Sequence, residues 1–289
     1  MSDESELMVM EAEAILAEGS TLATLETFTE EQVTAAFTEG FTRQSERDKQ
    51  VKIGPSEIGG CAYCVGYTMA AKLGVEMPSR DGGFGYAAWI GTMAHYWLEQ
   101  NLVLRHPFTG EPLETLREHK VHTINIPNYG NINGHLDIFT PLFGETGDYK
   151  FPGKWSYDKL TLALAKRRKF LMQGNLEEAA KWGPSTQYRY QQQLYAAGLI
   201  KQGYTVERCR IIFLPRHSND IRDVIHWVEP YQPELVERAL ARTSMIWEYV
   251  QAGQLDELPS DTDEKGNIEC YTCSTVGRGD LTAYNEHLN

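Results

Sequence analysis

The residues best suited to chemistry in this chain are two aspartates and a lysine, set a short turn apart. Asp137 lies in an alternating stretch, Asn133–Thr140, in which Leu136 and Ile138 are apolar and Ile132 just precedes it. Pro141–Gly147 is a turn by composition, and Asp148-Tyr149-Lys150 follows it. Strand alternation puts Asp148 and Lys150 on one face and Tyr149 on the other. A hairpin across the turn would bring Asp137 beside Asp148. Two carboxylates and an amine then share one small volume, which suits a hard cation such as Mg²⁺ that keeps several waters and finishes its shell on phosphate. A lysine there can position or deprotonate an attacking water and offset charge on the phosphoryl transition state. That chemistry is phosphodiester hydrolysis. The triple alone also describes two surface acids and a surface lysine, so the weight falls on its neighbours.

Cysteine supplies a second constellation. Cys61 and Cys64 form one C-x-x-C pair, Cys270 and Cys273 another, and Cys209 stands alone in an apolar stretch. Paired C-x-x-C in a reducing compartment reads as metal binding before disulfide. Cys209 shares a strand face with Ile211 and Phe213, which places it in the core.

The elements that must position these groups follow from periodicity. Thr29-Glu30-Glu31-Gln32 is a capping-box pattern that starts a helix. Further helices are expected over 62–73, 86–104, 157–172, 186–202 and 234–252, with a glycine-rich loop at 78–86. Strands are expected at 121–126, 133–140, 148–151 and 207–214. Helix, three strands, helix, strand, helix is the order of an α/β layer structure on one mixed sheet flanked by helices. Residues 1–46 read as an acidic helical segment, 47–275 as the main domain and 276–289 as a tail.

Composition sets the outer limits. Apolar residues make up 42% and aromatics 11% of the 289 residues, enough for a packed core. No apolar run reaches the roughly 20 residues of a membrane span. Asp3, Glu4 and Glu6 stand where a secretory signal needs basic residues, so a cytoplasmic protein is expected. The net charge of −13 is unevenly spread. Residues 1–40 hold ten acids and no Lys or Arg, and residues 254–289 hold eight acids against Lys265 and Arg278, which leaves the middle at +3. A basic concentration at Lys166-Arg167-Arg168-Lys169, with Lys159, Lys166 and Lys169 roughly aligned on one helix face, could track phosphates or simply be a solvated face.

Two more pairs complete a pattern. Gly91 and His95 precede the hairpin on a helix, and Gln191 and Tyr195 follow it, four residues apart on one helix face. The order Gly91…His95, Gly134-His-Leu-Asp137, Gly147-Asp148-Tyr-Lys150, Gln191…Tyr195 resembles the RecB-like nucleases of the PD-(D/E)XK superfamily, over about residues 53–275. The group includes repair-helicase nuclease domains, CRISPR-adaptation exonucleases and phage recombination exonucleases.

The resemblance implies a restriction-endonuclease-like core and a metal-dependent DNA exonuclease of bacterial or phage DNA recombination and repair. The endonuclease, flap-nuclease and non-catalytic DNA-binding alternatives stay open at this point. It implies that His95, Asp137, Asp148 and the Tyr149 carbonyl ligate Mg²⁺ or Mn²⁺, and that Lys150 is the catalytic lysine. Gln191 and Tyr195 would contact the strand or orient Lys150, and Glu99 would be an outer group or a solvated acid. Lys159, Lys166, Arg167, Arg168 and Lys169 are candidate DNA contacts. The expected partner is DNA, as linear duplex or single strand, with a recombination protein or a second copy of the chain as further partners. Pro55-Ser-Glu-Ile-Gly-Gly-Cys61 resembles the family's S-x-I-x-x-C segment, where one early cysteine joins three late ones around a [4Fe–4S] cluster. Here the four divide two and two; the resemblance still implies a [4Fe–4S] cluster, with structural Zn²⁺ as the alternative. Either would close a loop of about 200 residues around the core.

Overall fold

The computed structural model describes residues 52–74, 77, 86–262, 269–275 and 277–278, all within one compact unit, Glu46–Asn289. The acidic segment 1–46 with its capping-box helix, nearly all of the 78–86 loop and nearly all of the 276–289 tail lie outside the described residues.

A short helix α1 (Pro55–Ile58) and helix α2 (Ala62–Lys72) precede α3 (Tyr86–Asn101). Three strands follow, β1 (Leu116–Ile126), β2 (Gly130–Thr140) and β3 (Glu145–Lys150). Helices α4 (Lys154–Met172), α5 (Leu176–Ala180) and α6 (Thr186–Lys201) then lead to β4 (Arg208–Phe213) and β5 (Ile225–Pro230). Helix α7 (Pro233–Gln251) and the short α8 (Tyr271–Thr275) close the described chain.

The five strands form one mixed sheet in sequence order, flanked by helices. β1, β2 and β3 are antiparallel neighbours, β3 and β4 are parallel, and β5 returns antiparallel to β4. A parallel pair cannot be joined by a tight turn, and α4 to α6 supply the crossover. Among the described residues no helix is long and apolar enough to cross a membrane.

β2 and β3 each begin three residues earlier than expected, so Glu145–Gly147 of the expected turn is strand, and β5 and β1 differ further, for physical reasons. β5 was not expected because its alternation is inverted. Trp227 and Glu229 face inward while Val228 is exposed, so an acid occupies a core position. Glu229 is only 7% exposed, yet its carboxylate takes Arg189 Nε at 2.9 and 3.2 Å and Gln193 Nε2 at 3.3 Å. A buried carboxylate is tolerated when charge and hydrogen bonds meet it together. β1 begins five residues earlier than expected, because Arg117-Glu118-His119-Lys120 reads as a charged loop until β2 pairs with it.

Helix α6 lies over the sheet and is unusually polar where it is most buried. Gln191, Gln192 and Gln193 are all at most 6% exposed. Gln192 Oε1 accepts from the Thr146 hydroxyl on β3 at 3.0 Å, and Gln193 Nε2 donates to the Pro230 carbonyl on β5 at 3.1 Å. Leu194, Tyr195 and Leu199 supply the apolar contacts of the same helix, with Leu136, Phe139 and Cys209 behind Tyr195. Leu160 of α4 packs with Ile211, Phe213 and Trp227.

Gly134 marks the closest approach of β2 to this layer. A Cβ there would stand 2.7 Å from Tyr195 Cε1 and 2.9 Å from the Pro55 ring. Gly134→Ala should therefore cost about 1–3 kcal/mol by overpacking. Urea denaturation followed by tryptophan fluorescence measures this, and an unchanged midpoint would mean that Tyr195 is not fixed against β2.

Candidate active site

Asp148 reaches its position because β3 is the central strand of the sheet, paired on both edges. Its carboxylate is 1% exposed. Pairing of β2 with β3 at Ile138–Gly147 sets Asp137 next to Asp148, as the expected hairpin requires. Asp137 Oδ2 accepts the Tyr149 amide hydrogen bond at 2.7 Å, which locks the two strands together at the carboxylates.

Alternation then brings Lys150 back to the Asp148 side, with Nζ 2.7 Å from Asp148 Oδ2. Gln191 closes the triangle. Its Oε1 accepts from Lys150 Nζ at 2.9 Å, and its Nε2 donates to Asp148 Oδ1 at 3.1 Å and approaches the Tyr195 hydroxyl at 3.3 Å. The four-residue spacing of Gln191 and Tyr195 thus places both on one polar network.

Electrostatics follow from burial. Removal from water pushes Asp148 up to about 6, against the pull of Lys150. Burial alone would lower Lys150, but the Asp148 carboxylate outweighs it and the ammonium is held above its ordinary range. Lys150 is therefore held as an ammonium in this arrangement.

His95 approaches from α3. Its Nδ1 lies 3.2 Å from Asp137 Oδ1, and its ring stands edge-on to Tyr149 and Phe151, 6.0 and 5.3 Å between centroids. Burial disfavours its charged form, yet the Asp137 carboxylate prevails and raises it. The His95–Asp137 and Lys150–Asp148 contacts are close in distance, but neither His95 Nδ1 nor Asp148 Oδ2 gains an aligned hydrogen bond. Two buried polar atoms without aligned partners, facing a carboxylate cluster, fit a cation's donor set.

The structure adds a residue that sequence reading missed. Glu118 joins His95 and Asp137, with ligand-type atoms of all three within 4.8 Å of one another. Its backbone is left-handed, φ +42°, between β1 residues paired with Ile138 and Leu136 of β2. Only the β1–β2 register reveals it. Glu99 is not part of this group, and its carbonyl accepts from Arg117 instead, at 2.7 Å.

The basic face of α4 divides. Arg167 donates to the Ala179 carbonyl at 2.9 Å and stacks 4.8 Å from the Trp227 ring, so its guanidinium ties α4 to α5 and the sheet. Lys166 lies 3.9 Å over Trp182, and Lys159 pairs with Glu269 at 2.9 Å. Arg168 and Lys169 are exposed.

The four paired cysteines meet. Cys61 caps α2, Cys64 sits in its first turn, and Cys270 and Cys273 flank the start of α8. Sulfur separations are 3.8 Å for Cys61–Cys273 and 3.5 Å for both Cys64–Cys270 and Cys64–Cys273. One tetrahedral ion with about 2.3 Å metal–sulfur bonds sets its four sulfurs about 3.8 Å apart. A four-iron cube binds each thiolate through a different iron, so its cysteine sulfurs stand on the order of 6 Å apart. All four sulfurs here lie within 4.8 Å of one another. The spacing fits a single ion and does not fit the cluster. Crowding also sets thiol against thiol. A hydrogen bond from Cys64 lowers Cys61 to about 4, while the same contact and burial push Cys64 up. Four thiolates can coexist there only around a cation. Cys209 is apart from them, buried, with burial raising its thiol to about 12.

No protein-family model matches the chain, and no curated protein matches it. Among solved structures it is similar to an alkaline exonuclease, LHK-Exo, from Laribacter hongkongensis. That match has 11% identity and a TM-score of 0.41, and covers 72% of this chain and 91% of that one. The same enzyme in complex with dAMP gives 13% identity and a TM-score of 0.40 over the same shares. SSO0001 gives 15% identity and a TM-score of 0.42, covering 89% of this chain and all of that one.

Proposed function

We propose that this chain is a Mg²⁺- or Mn²⁺-dependent DNA nuclease of the RecB-like PD-(D/E)XK type, working as an exonuclease from DNA ends. The observation that carries the reading is the convergence of four sequence-distant motifs on one buried network. Lys150 Nζ bonds Gln191 Oε1 and lies beside Asp148, and Asp148 adjoins the His95–Asp137 contact.

His95, Asp137, Asp148 and the Tyr149 carbonyl would hold the cation, with Glu118 as an added carboxylate. A divalent cation there supplies Lewis acidity toward water and the scissile phosphate. The rest falls to the chain. Lys150, kept as an ammonium, holds the attacking water or a non-bridging phosphate oxygen and offsets the negative charge that builds as water attacks phosphorus and the P–O bond to the leaving strand breaks. Gln191 fixes the Lys150 head by accepting from it, and Tyr195 steadies the Gln191 amide. Fixing a donor before reaction removes the cost of reorganising it during reaction.

In the cysteine site we propose one Zn²⁺. It ties α2, ahead of the sheet, to α8, beyond the last strand. Its role is mechanical, since its four ligands leave no open position for water or substrate.

Three groups of outcomes are expected, the first from digestion. Asp148→Ala and Lys150→Ala should each slow hydrolysis of end-labelled linear DNA by about 10²-fold or more, with unchanged far-UV circular dichroism. A covalently closed circle of the same sequence should survive wild-type protein that degrades the linear form. Rapid cutting of the circle would replace the exonuclease with an endonuclease.

The second concerns pH. Asp148 is protonated below about 6, and a cation needs the carboxylate, so binding there must release a proton. Calorimetric Mn²⁺ affinity should fall as pH drops through 6, with His95, a second ligand whose charged form the Asp137 carboxylate favours, adding to the fall. An affinity that does not change between pH 7 and 5 would remove Asp148 from the ligand set.

The third concerns the thiolates. Protein purified without oxygen should be colourless and contain one zinc per chain by mass spectrometry. Cys270→Ser should lose the metal and melt several degrees lower. Brown protein carrying iron would contradict the sulfur spacing.

A further inference from the structure

Beside the candidate active site, where the first turns of α4 and α6 face each other, lies a cavity of about 550 Å³. Nothing in the reaction scheme above uses it. Its size falls in the range of sites for small organic molecules and single nucleotides.

The lining is of two kinds. Trp155, Trp182 and Tyr188 give aromatic walls over the buried Phe213, and Lys159 and Lys181, paired with Glu269 and Glu178, give exchangeable positive charge. Trp155 is 71% exposed, an uncommon cost for the largest apolar side chain unless something covers it. Residues Ser185 to Tyr188, the N-terminal end of α6, form a further wall, and the first turn of that 16-residue helix holds no acid. Amides at such an end favour an anion. Aromatic faces beside cations and helix amides are the chemistry that holds a nucleobase and its phosphate.

Position makes the assignment specific. Tyr188 belongs to the cavity wall and also lies under Lys150, whose Nζ is 5.0 Å from the ring centroid. Phe213, buried beneath those walls, pairs with Lys150 across β3 and β4. A strand with its scissile phosphate at Lys150 would therefore run its neighbouring nucleotide into the cavity. A base inside a duplex is stacked on both faces and cannot offer either to a tryptophan. The occupant must be unpaired.

We propose that this cavity seats one unpaired nucleotide of the DNA strand under cleavage, its base against Trp155 and Trp182 and its phosphate toward Lys159 and Lys181. The proposal rests on the nuclease reading and adds to it that the strand is cut in single-stranded form. Glu269, which pairs with Lys159 at the rim, immediately precedes Cys270. The pair is exposed, and a phosphate would compete for the same lysine.

The test uses the full zinc-loaded chain with no Mg²⁺ or Mn²⁺ added, where no strand is cut, and a fluorescently labelled oligo-dT read by anisotropy. The single strand should bind more tightly than a blunt duplex of equal length. Trp155→Ala should weaken single-strand binding by about tenfold, Lys159→Ala should weaken it and flatten its salt dependence, and Trp155→Phe should restore most of the loss. Trp155 is exposed on the first turn of α4, and circular dichroism of each variant checks the fold. A small chromogenic phosphodiester, too short to reach the cavity, should be hydrolysed equally by wild type and Trp155→Ala in Mn²⁺. If wild type hydrolyses that ester but Trp155→Ala binds oligo-dT as wild type does, the pocket is overturned and the nuclease reading stands. Absence of oligo-dT binding by wild type overturns the pocket too. Failure of wild type to hydrolyse either ester or DNA overturns the nuclease reading itself.

Discussion

The fold is organised around a charge that it buries. Asp148 sits on the central strand of the sheet with 1% of its surface exposed, and a carboxylate there is costly unless every lone pair is met. Gln191 bonds one oxygen, the Lys150 ammonium stands 2.7 Å from the other without an aligned hydrogen bond to it, and Lys150 in turn donates to Gln191. This triangle fixes how far α6 may slide or rotate over β3. One residue of slip would leave an ammonium, a carboxylate and an amide unsatisfied together. Gln192 and Gln193 extend the same constraint to Thr146 and to β5, so a helix whose buried face is largely amide still has one seating. Apolar packing around Leu194 and Leu199 supplies the driving force, and the polar contacts select the register.

The same seating decides what the site can do. Lys150 remains charged because its nearest neighbour is a carboxylate, and Asp148 sits near neutrality because it is dry. A site of this type shifts the balance between proton and cation at one oxygen, while the lysine contributes field and position. The edge of the site is set by α3, which brings His95 to Asp137, and by the left-handed turn of backbone that puts Glu118 on the same spot. Such a conformation in a non-glycine residue persists only where surrounding structure over-determines it, here the β1–β2 pairing on either side.

The cysteine site works at longer range. Cys61 and Cys64 come before the first strand, and Cys270 and Cys273 come after the last. The Zn²⁺ proposed there would close that loop, restraining the unfolded chain and clamping α2 on α8 in the folded one. Arg242 also reaches this corner, donating to the Ile58 and Gly60 carbonyls at 2.9 and 2.6 Å. The corner sits behind α1, whose Pro55 packs against Gly134 and Tyr195, so the closure backs the wall of the active site without touching its chemistry.

Much of this was legible in the residues themselves. The alternation around Asp137 and Asp148 is a property of strands, and it made the carboxylate pair and the facing of Lys150 readable before any coordinates. The four-residue step from Gln191 to Tyr195 is likewise a helix property, and C-x-x-C spacing announces thiolate ligands wherever it folds. Period and spacing are local, and local geometry is what sequence encodes directly. Partnership across the fold is not. Glu118 became a candidate ligand only when β1 took its register on β2, β5 was hidden because a buried Glu229 inverted its pattern, and the contact of Arg167 with Trp227 could not be read from α4 alone. Whether the four cysteines suit one ion or a cluster was also beyond the sequence. It depends on whether the sulfurs stand one ion apart or one cluster apart, and only the packing of α2 against α8 sets that distance.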